Sequence, residues 1–139
     1  MTVIKFPAQK GELAMLPCQC EQQMGDVSRF FPCSRCNSPA LNALIVLIGA
    51  SGAGKSTLAT TWPASQVLSL DALRGAVSDD PGNQEATGDA VDVLHLILER
   101  RMTRRLLTVV DTTNVSREAR APLVAAAKRH HVPAIAVIV

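Results

Sequence analysis

Nine consecutive residues, GASGAGKST from Gly49 to Thr57, carry the densest chemistry in the sequence. Gly49, Gly54, Lys55 and Ser56 satisfy the spacing G-x-x-x-x-G-K-[ST]. In that motif a glycine-rich turn between a strand and a helix lets backbone N–H groups converge on phosphate oxygens, and the helix N-terminus adds favourable potential. Gly49, Ala50, Ser51, Gly52, Ala53, Gly54, Lys55, Ser56 and Thr57 are therefore the candidate binding residues for ATP. Lys55 is expected to reach the β and γ phosphates and Ser56 to offer its hydroxyl to Mg²⁺, with Thr57 in a weaker, supporting place. A turn that merely tightened a strand–helix junction would explain neither the lysine nor the hydroxyl.

Phosphate binding alone names no phosphate acceptor, so the polar residues at strand ends carry the next step. Asp71 follows the apolar run Val67 to Leu70, at the sheet edge where ligands bind in α/β folds. A carboxylate there can orient an acceptor hydroxyl and take its proton. Capping the following helix is the plainer role for the same residue. Arg74, three residues on, is either a bidentate fork for an acceptor phosphate or a solvated helical arginine. Asp111 ends the apolar segment LLTVVD and is the candidate second oxygen ligand to Mg²⁺. Thr112, Thr113 and Asn114 line the same cleft or form the turn into the next helix. None of the three histidines reads as catalytic. Cys18 and Cys20, then Cys33 and Cys36, offer four soft ligands in two close pairs. They suit either a structural Zn²⁺ or uncommitted thiols, and a closed four-sulfur site would serve folding or docking and not catalysis.

The elements that must hold these residues follow from hydrophobic patterning. Leu44 to Ile48 reads as the first strand, followed by the glycine-rich turn and a short helix that starts near Lys55 and is broken at Trp62–Pro63. Val67 to Leu70, Leu106 to Val110 and Ala134 to Val139 read as further strands. A long helix is expected from about Thr87 to Arg105, with Val91, Leu94, Leu98 and Met102 as its buried stripe. Arg100, Arg101, Arg104 and Arg105 crowd its C-terminal end, where a solvated helix terminus explains them and a nucleic-acid or phosphate patch is the alternative. Ser116 is placed to cap a last helix running towards His130, with Glu118 in its first turn.

Short branched runs alternating with helical stretches predict an α/β fold with a mostly parallel sheet and flanking helices. Two regions are expected: a cysteine-rich appendage over residues 1–40 and a core over residues 41–139. With 139 residues, one hydrophobic core is affordable and two are not. A formal net charge of +2 argues against charge-driven binding to long nucleic acid and leaves only local contact to a strand end. No apolar run is long enough to cross a membrane and no secretory leader is apparent, so a cytoplasmic location is the expectation. The last strand, ending at Val139, is expected to present a bare edge or apolar surface for further chain or a partner protein to cover.

Beyond the P-loop, SLDALRGAVSDDPGNQEATGDAVDVLHLILERR and LTVVDTTNVSREAR resemble the kinase domain of bacterial polynucleotide kinase-phosphatase, an RNA-repair enzyme, and more broadly the polynucleotide 5′-hydroxyl kinase family. The resemblance covers roughly residues 44–139. It implies a P-loop kinase fold in which Asp71 is the general base for a 5′-hydroxyl and Arg74 contacts the acceptor nucleotide's phosphate, with Lys55 and Ser56 on ATP and Mg²⁺. It also implies a lid after the fourth strand that supplies an arginine to the transferring phosphate. The sequence stops at Val139 before such a lid, so the kinase core is expected to be C-terminally truncated. The leading expectation is ATP-dependent phosphorylation of the 5′-hydroxyl end of RNA or DNA. A kinase of a small metabolite and a non-catalytic ATP-binding or zinc-docking module are the alternatives.

Overall fold

The computed structural model describes residues 1–5 and 42–139. The cysteines and the zinc reading therefore lie outside the described residues, as does most of the proposed appendage. The elements, in order, are β1 (Thr2–Lys5), β2 (Leu44–Ile48), α1 (Lys55–Ala59), β3 (Val67–Ser69), α2 (Leu70–Ser78), α3 (Thr87–Thr103), β4 (Thr108–Asp111), α4 (Arg117–Arg129) and β5 (Ala134–Ile138). Short 3₁₀ turns at Ala64–Gln66 and Gln84–Ala86 precede β3 and α3.

All described strands pair in parallel in one five-stranded sheet of order β1-β5-β2-β4-β3. Parallel strands buried on both faces need apolar side chains at every position, and β2, with the sequence LIVLI, supplies them. Its alternate residues face opposite ways. Ile45 and Leu47 join Leu58, Trp62, Val109 and Val137 on the face under α1. Leu44 and Val46 join Leu94, Leu98, Met102, Val110 and Leu123 on the face covered by α3 and α4.

The buried stripe of α3 is Ala90, Leu94, Leu98 and Met102. Val91, expected in that stripe, is only half-buried and borders a cavity between α3 and α4. Because Leu98 is fully enclosed, Leu98→Ala is expected to cost about 2–5 kcal/mol through lost transfer energy and a residual void. A urea melt would read that as a lower midpoint with an unchanged slope.

Three local expectations change. The second strand ends at Ser69, and Asp71 is the second residue of α2, with Ser69 as the cap: its hydroxyl accepts from the Ala72 N–H at 3.5 Å. The third strand begins at Thr108, because α3 stops at Thr103 and Arg105 takes a left-handed φ of 53° before the chain re-enters the sheet. The arginine cluster is not uniformly solvated. Arg101 folds onto the sheet, donating from Nε to Thr108 Oγ1 at 2.9 Å and from Nη2 to the Leu107 carbonyl at 2.7 Å, and burial pushes its pKa down. Arg100, Arg104 and Arg105 remain exposed.

The expected free edge of the last strand is covered from within the chain. β1 runs parallel to β5, pairing Thr2 with Ile135 through Lys5 with Ile138, so residues assigned by sequence to the appendage complete the sheet.

Glu99 ties α3 to the end of α4. Its Oε2 accepts from Arg129 Nη2 at 2.6 Å, and its Oε1 lies 2.6 Å from His130 Nε2. The hydrogen bond from His130, then that from Arg129, holds the Glu99 carboxyl below its ordinary value. A carboxyl depressed on folding contributes stability above its unfolded value and loses it as pH falls through the folded one. Urea midpoints of the native chain and Glu99→Gln should therefore differ at neutral pH and converge in acid, below the usual glutamate range.

Candidate functional site

The strands' C-terminal ends define one sheet edge, and the chemistry-bearing residues gather there. After β2 the chain turns sharply through residues 49–54 into α1. Gly52 and Gly54 carry φ values of 79° and 95°, which side chains other than glycine's rarely tolerate. At Gly49 the demand is space: a Cβ there would lie 3.1 Å from the Val139 carbonyl oxygen and 3.2 Å from the Ala53 Cβ. The loop is closed by the Ala53 N–H donating to Ala50 at 3.2 Å. Lys55 lies across it, 7% exposed, with Nζ donating to the Ala50 carbonyl at 2.7 Å. Its ammonium is thus held at the loop it opens from, while Ser51, Gly52 and Gly54 remain exposed.

Ser56, in the first turn of α1, donates from Oγ to Asp111 Oδ2 at 2.8 Å. Asp111 closes β4 and is 8% exposed. This contact joins residues 55 positions apart in sequence, and it requires β2 and β4 to be neighbours, as their pairing makes them. Two cis oxygen ligands of an octahedral Mg²⁺ stand about 3 Å apart, given metal–oxygen distances of about 2.1 Å. The serine and aspartate oxygens already have that spacing and the hard-ligand character the ion requires. Among the described residues no three His, Cys, Asp or Glu side chains cluster as a metal site. Mg²⁺ does not need such a cluster, since it commonly keeps waters and phosphate oxygens beside one or two protein ligands.

Opposite the loop, Asp71 and Arg74 form an ion pair one turn apart on α2, Arg74 donating from Nη2 to Asp71 Oδ1. Arg74 also donates from Nε to the Pro81 carbonyl at 2.9 Å. The guanidinium is thereby fixed with 11% of its side chain exposed, whereas the Asp71 side chain is 72% exposed. Neither simpler alternative for these residues holds: Asp71 is not the cap, and Arg74 is not a freely solvated arginine. Arg74 holds the carboxylate out into the open space.

That space is a cleft of about 610 Å³ whose walls include Lys55, Ser56, Thr57, Asp71, Arg74 and Asp111. Ser51, Gly52, Gly54, Lys55, Ser56, Thr57, Asp71, Arg74 and Asp111, all picked from sequence for phosphate, cation or acceptor chemistry, thus line one cleft, whereas Gly49, Ala50, Ala53 and the arginine cluster are not in its lining. Thr112 and Thr113 also line it. Asn114 does not. With a φ of 43°, it turns inward and donates from Nδ2 to the Leu47 carbonyl at 3.1 Å, while Arg120 donates to the Asn114 and Val115 carbonyls at 2.7 and 2.6 Å. This brace locks the loop after β4 to the strand that leads into the phosphate loop. Sequence reasoning missed Leu70, Gln84 and Thr87, which complete the wall. They carry no motif, and the 3₁₀ turn at Gln84–Ala86 that brings the start of α3 to the cleft has no period to reveal it.

A family model described as an AAA domain matches residues 44–139. The chain belongs to that family. The match spans the elements from β2 to β5, and with the phosphate loop between β2 and α1 it makes this AAA domain a small α/β unit of the P-loop NTPase fold. No curated protein matches the chain. No helix among the described residues of the AAA domain is long and apolar enough to cross a membrane.

Proposed function

We propose that this AAA domain binds ATP at residues 49–57 and transfers the γ-phosphoryl group to a hydroxyl acceptor. The observation that carries the reading is the Asp71–Arg74 pair in the wall of the cleft that also holds Lys55, Ser56 and Asp111. An ATPase or switch needs the last three. A carboxylate there also suits a water nucleophile; the guanidinium beside it, with N–H donors to spare, favours an acceptor that carries an anionic group of its own.

In this reading the exposed loop N–H groups and the Lys55 ammonium bind the β and γ phosphates. Ser56 and Asp111 would hold Mg²⁺, which when bound neutralises charge on the triphosphate. Asp71 accepts the acceptor's hydroxyl proton as the acceptor oxygen bonds to the γ phosphorus. The bond from that phosphorus to the β–γ bridging oxygen breaks, and ADP leaves. Arg74 keeps Asp71 aimed and turns its remaining N–H donors to a phosphate of the acceptor.

Two acceptor classes follow from different observations. The segments around Asp71 and at the start of α3 resemble the polynucleotide 5′-hydroxyl kinases, which favours the end of an RNA or DNA strand. The AAA domain match is to the P-loop core in general, and the net charge of +2 gives no broad attraction for a polyanion, which favours a small hydroxyl metabolite. Labelled γ-phosphate transfer from ATP to 5′-hydroxyl oligonucleotides, nucleosides and sugars separates them. Label on oligonucleotides alone supports the polynucleotide kinase, and label on small molecules alone supports the metabolite kinase. ATP binding with label on neither would leave a nucleotide-binding module and overturn the kinase reading.

A further inference from the structure

The pairing of β2 with β4 ends where Val46 lies beside Val110, yet the two segments stay joined beyond it. The Gly49 N–H donates to the Thr113 carbonyl at 3.4 Å, and Asn114, 4% exposed, donates from Nδ2 to the Leu47 carbonyl at 3.1 Å. Arg120, in the first turn of α4, grips the same residue from the other side, its Nη1 donating to the Asn114 and Val115 carbonyls at 2.7 and 2.6 Å. The start of α4 does not require this clasp, because Ser116 caps that helix by itself. What the clasp does is close a ring. One arm is the phosphate loop from Gly49 to Ser56, and the other is the end of β4 from Asp111 to Thr113. The arms meet where Gly49 bonds Thr113 and again where Ser56 bonds Asp111.

We propose that Asn114 and Arg120 are positioning residues that make the Ser56–Asp111 pair select Mg²⁺ over the larger Ca²⁺. The inference rests on the reading of Ser56 and Asp111 as the cation ligands beside bound ATP, and it adds what decides which divalent cation they accept. In the structure the bond from the Ser56 hydroxyl to Asp111 sets the distance between the two oxygens. Once both oxygens turn to one cation, the hydroxyl hydrogen points away from Asp111 and that bond no longer fixes the spacing. The clasp at Leu47 and Gly49 is then what holds the two arms in place. Mg²⁺ demands near-ideal octahedral geometry at about 2.1 Å, whereas Ca²⁺ takes oxygens at about 2.3–2.6 Å in flexible arrangements. A stiff pair of oxygens therefore favours the small ion, and a slack pair can widen for the large one. Neither Asn114 nor Arg120 is in the lining of the cleft, so both act through the backbone that carries the ligands.

The test titrates a non-hydrolysable ATP analogue into the full chain by calorimetry, in excess Mg²⁺, in excess Ca²⁺ and in EDTA. It compares the native protein with Asn114→Gly and Arg120→Met. Glycine accepts the left-handed φ of 43° and removes only the amide. Methionine keeps an unbranched stem and removes every donor, and it leaves Asn114 in place should Asn114→Gly fail to fold. The native chain is expected to bind the analogue more tightly in Mg²⁺ than in Ca²⁺. Each variant should lose roughly tenfold or more of the Mg²⁺-supported affinity, the usual cost of removing a group that orients a metal ligand. Most of the Ca²⁺-supported affinity and all of the affinity in EDTA should remain. A clasp that served stability alone would move the three affinities together. Equal support from the two cations in the native chain, a Mg²⁺ preference retained by either folded variant, or a parallel loss in all three solutions would each overturn the assignment. Should neither cation strengthen binding over EDTA, Ser56 and Asp111 hold no cation and the proposal falls with that reading. Should the preference behave as stated while no hydroxyl acceptor is phosphorylated, the kinase reading falls and the clasp stands.

Discussion

Lys55→Ala is expected to lower phosphoryl transfer from ATP by at least roughly 10²–10³-fold, the usual cost of removing one preorganised charge from a developing anionic transition state. Lys55 is the single charged residue between Gly49 and Thr57, so no neighbour in the loop replaces it. Its Nζ is held 2.7 Å from the Ala50 carbonyl, which means the ammonium needs little reorganisation to meet a phosphate. Lys55→Arg should fail nearly as badly. The site is 93% enclosed by its surroundings, with 7% of the residue exposed, and a planar fork cannot occupy the place of a compact point charge. Binding of ATP, measured by titration, should weaken in both variants while the far-ultraviolet circular dichroism stays native. Unchanged transfer in Lys55→Ala would remove the loop from the chemistry.

Asp71→Asn is the second large effect, and it has the opposite signature. The amide keeps the size of the carboxylate but cannot take the acceptor's proton, so transfer should fall by roughly 10²–10⁴-fold. ATP affinity should be unaltered, because Asp71 stands across the cleft from the phosphate loop on a different element. A pre-steady-state measurement would find nucleotide bound and the phosphoryl group untransferred. Should ATP binding fall in step with transfer, Asp71 would be part of the nucleotide site, and the acceptor side of the cleft would need another base.

These two variants rest on residues that the sequence exposes to differing degrees. The phosphate loop was legible because its function dictates residue types over a short contiguous stretch: glycines at positive φ or in close contact, then the lysine and the hydroxyl. Asp111 was legible as the carboxylate that closes the apolar run LLTVVD at a strand end. The partnership of Ser56 with Asp111 was less so, since it depends on which strands are neighbours, and order within a parallel sheet is a tertiary property. Asp71 stood out in the sequence as the end of a strand, and the structure sets it in a helix. Leu70 is apolar and reads as the end of a strand, but Ser69 captures the Ala72 N–H and starts the helix one residue before Asp71. Arg101 shows the same limit from the other side: in sequence it is one of four clustered arginines, and only the return of β4 beneath α3 gives it a buried hydroxyl and carbonyl to bind. Gln84, Thr87 and the cavity between α3 and α4 were not legible at all, because cavities form from the spaces that packed elements leave, and no residue pattern encodes a space.

The pairing of β1 with β5 sets an order on folding. Thr2 meets Ile135, near the largest sequence separation this chain allows, and β1 touches the sheet only at that edge. Its contacts bring reward only after β5 has docked on β2, since ordering entropy must be spent before so distant a partner is in reach. β1 is thus among the last elements to be fixed. Under native conditions the same strand should open without the rest of the sheet, and its backbone amides should exchange with solvent well before those of β2 and β4, which are flanked by strands on both sides.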